Sequence, residues 1–151
     1  MDDDELRRCE LVRTFFARLS DGDLEALRSL LHPDATWEVM RAVPGERMAS
    51  GRDVIVDEFL PPVRARFVAG DPKVTVHTVF ASGTRVAVES QADGTMLDGS
   101  EYHNRYAWMI DVEGSLLRSL REYMKVRLAT YSMGTDGAGT EAINYGFEPA
   151  D

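Results

Sequence analysis

Cysteine is nearly missing from this chain: Cys9 is the single one among 151 residues. That excludes an internal disulfide and fits a reducing cytosol. Its helical surroundings read as core or interface rather than as a reactive thiol. Long apolar runs are missing too, since none approaches the roughly 20 residues of a membrane-spanning helix. Basic residues are few, 17 Lys and Arg against 26 Asp and Glu, which leaves a net charge of −9. Such a chain gains no counterion-release affinity for nucleic acid and is repelled by anionic lipid. The acidity therefore reads as solubility, not as the mark of a partner. The opening Met-Asp-Asp-Asp-Glu carries the wrong charge for a signal or transit peptide, so a cytoplasmic location is expected. There is no His-x-x-x-His, no cysteine pair and no clustered His and carboxylate spacing, so no metal is implied. No glycine-rich loop follows a strand, and no Gly-x-Ser-x-Gly elbow occurs, so neither a nucleotide site nor a serine hydrolase is expected. No cofactor is implied.

What is present suffices for one domain with a real core, because 44% of the residues are hydrophobic. Leu6, Cys9, Val12, Phe15, Phe16 and Leu19 recur at helical spacing and predict an amphipathic helix over 4–19. Ser20-Asp21-Gly22 breaks it, and a second helix is expected over 24–31, stopped by His32-Pro33-Asp34. Residues 35–40 alternate as a strand with Trp37 and Val39 on its inward face and Glu38 pointing away. A polar loop over 41–51 leads to a third helix over 53–67, interrupted by Pro61-Pro62. Residues 74–80 and 84–91 read as a strand pair, and 92–99 as a turn-rich link. Two final strands meet at the turn Val112-Glu113-Gly114-Ser115. The order of helices and hairpin-spaced strands argues for an α+β domain with an antiparallel sheet, whose helices cover one face and leave a hollow beneath them. The glycine-rich tail, 130–151, reads as poorly ordered, as lying over a partner subunit, or as a lid.

The final strands carry the chemistry. Period-two alternation puts Tyr102, Asn104, Tyr106 and Trp108 on one face, and Ser119, Arg121, Tyr123 and Lys125 on one face of the next strand. Tyr106 is the leading candidate for a polar pocket group, a donor to a carbonyl or enolate oxygen, against an ordinary sheet aromatic bonded to backbone. Arg121 is read either as a pocket cation or as the partner of a carboxylate such as Glu89 or Glu101. Lys125 is read either as a pocket amine or as a solvated strand end. His103 falls on the face opposite Tyr106, which favours surface or interface, and His77 and His32 carry similarly structural readings.

Phe15-Phe16-Ala17 through Ser20-Asp21-Gly22-Asp23-Leu24-Glu25-Ala26-Leu27, then His32-Pro33-Asp34-Ala35-Thr36-Trp37, resembles the opening of the SnoaL-like group. Gly51-Arg52-Asp53-Val54-Ile55 resembles its entry to the third helix, and Asp98-Gly99 with Tyr102, Asn104-Arg105-Tyr106 and Arg121-Glu122-Tyr123 resembles its closing strands. The likeness spans residues 5–129. It implies the cone-shaped α+β roll shared with ketosteroid isomerase and nuclear transport factor two, a curved sheet on three N-terminal helices enclosing a pocket. The catalytic groups of the relatives transfer poorly. Ketosteroid isomerase sets a carboxylate base beside an oxyanion hole of a tyrosine and a neutral acid. Its tyrosine falls on Phe15, its base on Val39 and its acid near Tyr106. The acidic residue of SnoaL-type cyclases falls on Lys125. The epoxide-hydrolase pattern needs two aspartates and an arginine; Arg121 offers the arginine, but no convincing inward aspartate pair accompanies it.

The expectation is therefore an enzyme that cyclises, isomerises or dehydrates a small hydrophobic carbonyl compound, such as a polyketide intermediate, without the family's usual carboxylate base. Tyr106, Arg121 and Lys125 would hold the oxygen, while Phe15, Trp37, Val39, Asn104, Trp108 and Tyr123 would shape the ligand. A non-catalytic binding protein and a dimeric interaction domain are the alternatives. A homodimer is expected through the convex sheet face, on which Leu116, Leu120 and Met124 would otherwise be exposed.

Overall fold

A computed structural model describes residues 1–124; Lys125 and the tail lie outside the described residues. Helix α1 (Asp3–Asp21) opens on a capping box, with Asp2 accepting from the Glu5 amide and Glu5 from the Asp2 amide. Gly22 closes it in the left-handed conformation at φ 74°. Asp23 caps α2 (Leu24–Leu30) by accepting from the Ala26 amide. The chain then enters β1 (Leu31–Val39) directly, four residues earlier than the alternation alone indicated. Pro33 is tolerated there because it falls in a register gap between Leu31 and Thr36, where no ladder donor is missed.

A short β2 (Met48–Ser50) occupies the end of the stretch read as a loop. The third helical segment is α3 (Arg52–Val54), a π-turn (Ile55–Phe59) and α4 (Leu60–Arg64). The Leu60 amide reaches back five residues to the Ile55 carbonyl. Pro61 and Pro62 have no amide to donate and their rings crowd the preceding turn, so the widened turn is the local solution.

Strands β3 (Lys73–Ser82), β4 (Arg85–Thr95), β5 (Glu101–Glu113) and β6 (Leu116–Met124) complete a six-stranded curved sheet in the order β2-β1-β6-β5-β4-β3. The sheet is mixed rather than wholly antiparallel, because β1 runs parallel to β6. Strand β4 continues through Asp93-Gly94, the pair read as a turn. Gly94 is there for room: a Cβ would stand 3.0 Å from Pro72 Cα and 3.0 Å from Asp71 Cβ.

The core lies between the helices and the inner sheet face. Val12, Phe15, Phe16, Leu27, Leu31, Ile55, Ile110, Leu117 and Leu120 are fully enclosed. At its centre Phe16 meets Trp108 edge-on with centroids 5.1 Å apart, and Trp37 meets Trp108 at 5.4 Å. Among the described residues no helix is long and apolar enough to cross a membrane.

One irregularity decides what the last strand presents. Asp111 pairs with Ser119 but Val112 pairs with Leu117, so Arg118 is an extra residue in β6. Before this bulge Leu117 faces inward; after it, Leu120 and Glu122 do. Leu120 is fully buried, and Met124 packs on the core, so neither belongs to the outer face assigned to them above. That face instead exposes Phe80, Met109 and Tyr123.

Candidate functional site

Beyond the aromatic core the helices stand off the sheet and leave a cavity of about 100 Å³, open on one side. It is lined by the buried Trp37 of β1, Leu60 of α4, Ser90 and Ala92 of β4, Trp108 of β5 and Glu122 of β6, by Leu19 of α1, and by the less buried Val63, Arg64, Pro72, Val74 and Tyr106. The walls are mainly apolar, with a few convergent polar groups, the usual constitution of a small-molecule site.

Glu122 is the centre of the polar set. It lies between Val39 of β1 and Trp108 of β5 in the ladder and is 9% exposed. Trp37 Nε1 donates to its Oε1 at 2.8 Å. Burial pushes the Glu122 carboxyl above its ordinary value of 4.5, while the Trp37 bond and the charges of Arg47 and Arg41 oppose the rise. One carboxyl oxygen is thus held by an indole, and the group binds its proton more tightly than an exposed carboxyl does.

Tyr106 comes from the adjacent strand, beside Trp108 with ring centroids 6.0 Å apart. Its hydroxyl is hydrogen-bonded to that of Tyr102, and Asn104 Nδ2 donates to the Tyr102 oxygen at 3.3 Å. Desolvation holds the Tyr106 phenol far above its ordinary value, with the neighbouring Tyr102 and Glu122 acting in the same direction. Tyr106 therefore stays protonated and acts as a donor, with Tyr102 behind it. Ser90, also buried, accepts from Trp108 Nε1 at 2.9 Å and fixes that ring.

The candidates named from the sequence divide cleanly. Trp37, Tyr106 and Trp108 line the cavity, and Asn104 stands behind Tyr106, bonded both to it and to Tyr102. Phe15 and Val39 are buried core residues in the shell outside the lining. Arg121 and Tyr123 are corrected: they pair with Met109 and Ala107 on the outer face, so they do not reach the hollow. Nor does Arg121 pair with Glu89 or Glu101; among the described residues it forms no ion pair, and its buried Nε has no partner. Lys125 lies outside the described residues. Glu38 does point away, accepting from the Gly45 amide at 2.8 Å, and His103 is on the outer face with Asp93 at 2.7 Å.

Sequence reasoning missed Glu122, Ser90 and Arg64, and with Glu122 it missed an inward carboxyl. The signal for Glu122 was available: it sits between Leu120 and Met124 at spacing two, and a carboxyl flanked by core residues on one strand face must be buried with them.

Comparison with known proteins places these features in a family. The SnoaL-like domain family matches residues 12–119. Among solved structures, TerC co-crystallised with polyporic acid has 20% identity and a TM-score of 0.67, covering 78% of this chain and 91% of that one. An LEH-like epoxide hydrolase of M. tuberculosis has 16% identity and a TM-score of 0.67, covering 80% of this chain and 84% of that one. A protein of ketosteroid isomerase-like fold from Catenulispora acidiphila DSM 44928, in complex with trimethylamine, has 21% identity and a TM-score of 0.63, covering 76% of this chain and 84% of that one. At these identities the likeness speaks for the fold. No curated protein matches the chain.

Proposed function

The chain belongs to the SnoaL-like domain family, and from that premise we propose that its cavity is a working site for proton transfer on a small hydrophobic carbonyl compound. The substrate class is a polyketide or related natural-product intermediate, and the outcome is cyclisation, isomerisation or dehydration through an enol or enolate. The observation that carries this reading is the buried Glu122 carboxyl, anchored through one oxygen by Trp37 in the wall of an apolar cavity. This reading departs from the expectation of a site without the family's usual carboxylate base by giving that role to Glu122.

The division of labour follows from the donors and acceptors. Tyr106, kept protonated, donates to the carbonyl oxygen, where negative charge builds as the neighbouring carbon loses a proton. Glu122 in its carboxylate form takes that proton on the oxygen that Trp37 leaves available, and as the acid returns it at another position. A raised proton affinity makes the carboxylate a stronger base and brings its working range towards neutral pH. A cavity of about 100 Å³ is smaller than the roughly 150 Å³ that holds a benzene, so a larger ligand extends through the open side.

Two measurements test the reading. Quenching of Trp37 and Trp108 fluorescence by a panel of aromatic and polyketide-like ketones should saturate at micromolar ligand. Ligands that bind should then exchange the hydrogen beside the carbonyl for deuterium, followed by NMR. Glu122→Gln is expected to slow exchange by roughly 10²–10⁴-fold while leaving binding intact. Exchange at the wild-type rate in that variant would remove the catalytic assignment and leave a passive binding protein. No quenching by any member of the panel would favour an interaction domain.

The same proposal includes a homodimer through the outer sheet face. Exposed Phe80, Met109 and Tyr123, together with the unpartnered Arg121 Nε among the described residues, support it.

A further inference from the structure

The cavity contains a second charged group that proton transfer does not use. Arg64, at the end of α4, forms part of its wall and is half-buried. Its Nη1 donates to the Leu19 carbonyl at 2.9 Å, near the end of α1. Gly22 makes room for the guanidinium: a Cβ at that position would stand 3.0 Å from Arg64 Nη2 and 3.2 Å from its Nε. The side chain is thus held between a helix end and a bare glycine backbone, beside the cavity.

Holding it there has a cost that the protein offsets only in part among the described residues, through the Leu19 carbonyl and the charge of Asp71. A guanidinium carries five N–H donors, and a single one is used by a protein acceptor among the described residues. No carboxylate among the described residues forms an ion pair with it, although the chain has 26 Asp and Glu for 17 Lys and Arg. Most other arginines of the helical layer do have such partners: Arg28 contacts Glu25, Asp53 and Asp57, and Arg18 contacts Asp21. Burial depresses the proton affinity of Arg64, with the more distant charge of Asp71 opposing, but an arginine stays charged throughout the range in which proteins are folded. Glu122, also in the lining, has its proton held more tightly by burial. Among the described residues, an acidic protein therefore lines its apolar cavity with a fixed positive charge on a partly exposed wall residue.

We propose that Arg64 is a specificity residue that selects an anionic ligand: a small organic acid whose apolar body fills the cavity and whose carboxylate rests on the Arg64 guanidinium at the mouth. The planar fork matches a carboxylate in geometry as well as in charge. In this arrangement the acid group stays at the rim and the reacting carbonyl lies deeper, toward Tyr106 and Glu122. The inference rests on the reading of the cavity as the working site and narrows it from carbonyl compounds to oxo acids and acidic aromatics.

The test compares benzoate with benzamide, which share a ring and differ in charge, by tryptophan quenching and calorimetry at low salt. Wild-type protein is expected to bind benzoate at least about tenfold more tightly than benzamide, with the preference shrinking as salt is raised. Arg64→Gln should abolish the preference for benzoate over benzamide, and Arg64→Lys should keep part of it. Thermal melts of both variants check that α1 remains docked. A merely structural Arg64 would shift both ligands together and leave their ratio intact, and that result overturns the proposal. Equal binding of the two by wild type overturns it as well, while preserving the cavity as a binding site. If neither binds, the reading of the cavity fails and the inference falls with it.

Discussion

Arg121 and Glu122 are adjacent in sequence and belong to opposite chemical worlds. Glu122 faces the cavity, 9% exposed, with an indole for a partner and its proton held more tightly than usual. Arg121 faces outward between Met109 and Glu38 in the ladder, on a surface where other charges find partners, as Arg85 does with Asp111 at 2.7 Å. On the inner face a polar group is worth what its few fixed partners make it, because burial in apolar surroundings leaves little else to replace them. On the outer face solvent levels the differences, and exposed pairs count for little. The comparison teaches that strand phase, not residue type, sorts functional from incidental charge here.

The widest separation of the two faces should appear in the core beneath the inner one. Phe16→Ala removes a fully enclosed ring that packs on Phe15 and Trp108. It is expected to cost about 3–5 kcal/mol in denaturant unfolding. A loss under about 1 kcal/mol would mean that the aromatic tier does not support the sheet as described.

A smaller effect, confined to part of the pH range, is expected at Glu122. Its folded-state proton affinity is raised, so between the unfolded value near 4.5 and the higher folded value the native state binds more protons than the unfolded chain. Stability therefore falls as pH rises through that window and stays lowered above it. Glu122→Gln cannot ionise and should escape the loss, melting higher than wild type at pH 8 and no higher at pH 4. Parallel melting profiles for the two proteins across this range would show that the carboxyl is not held neutral by burial.

The least effect on the protomer is expected from the outer face. Met109→Asp places a charge amid the exposed apolar residues of the proposed dimer surface. Light scattering should show the dimer dissociating, while the protomer's own stability changes by only about 0.5 kcal/mol. A variant that remains dimeric would place the contact elsewhere.

How much could be read from the chain depends on which rule governs each segment. Helix α1 follows a single period from Leu6 to Leu19 with a break at Gly22, so pattern and structure agree. The first strand of the closing hairpin and its turn were equally legible, because the inward set Tyr102, Asn104, Tyr106 and Trp108 obeys simple alternation. Three features did not yield. Strand β2 is only three residues long, below the length at which periodicity can speak. Gly94 looked like a turn because a glycine that makes space for a neighbouring backbone carries the same letter as one that bends its own. The phase of β6 was misread because the bulge at Arg118 is a tertiary event; the apolar residues Leu120 and Met124 would have set the phase correctly had they been taken as core. Arg64 gave no local signal, since its placement depends on Leu19 and Gly22, more than forty positions away in the chain.

The extra residue in β6 has a consequence for how such a protein can change over generations. Because Leu120 and Glu122 lie on the same side of the strand after the bulge, any insertion or deletion that slipped this stretch by one position against β5 would turn both outward together and bring Arg121 inward. Such a lineage would be removed by its failure to fold before it could be judged on its chemistry. The acid is thereby sheltered from that kind of drift by an unreactive leucine two positions away, and it remains open to change by substitution alone.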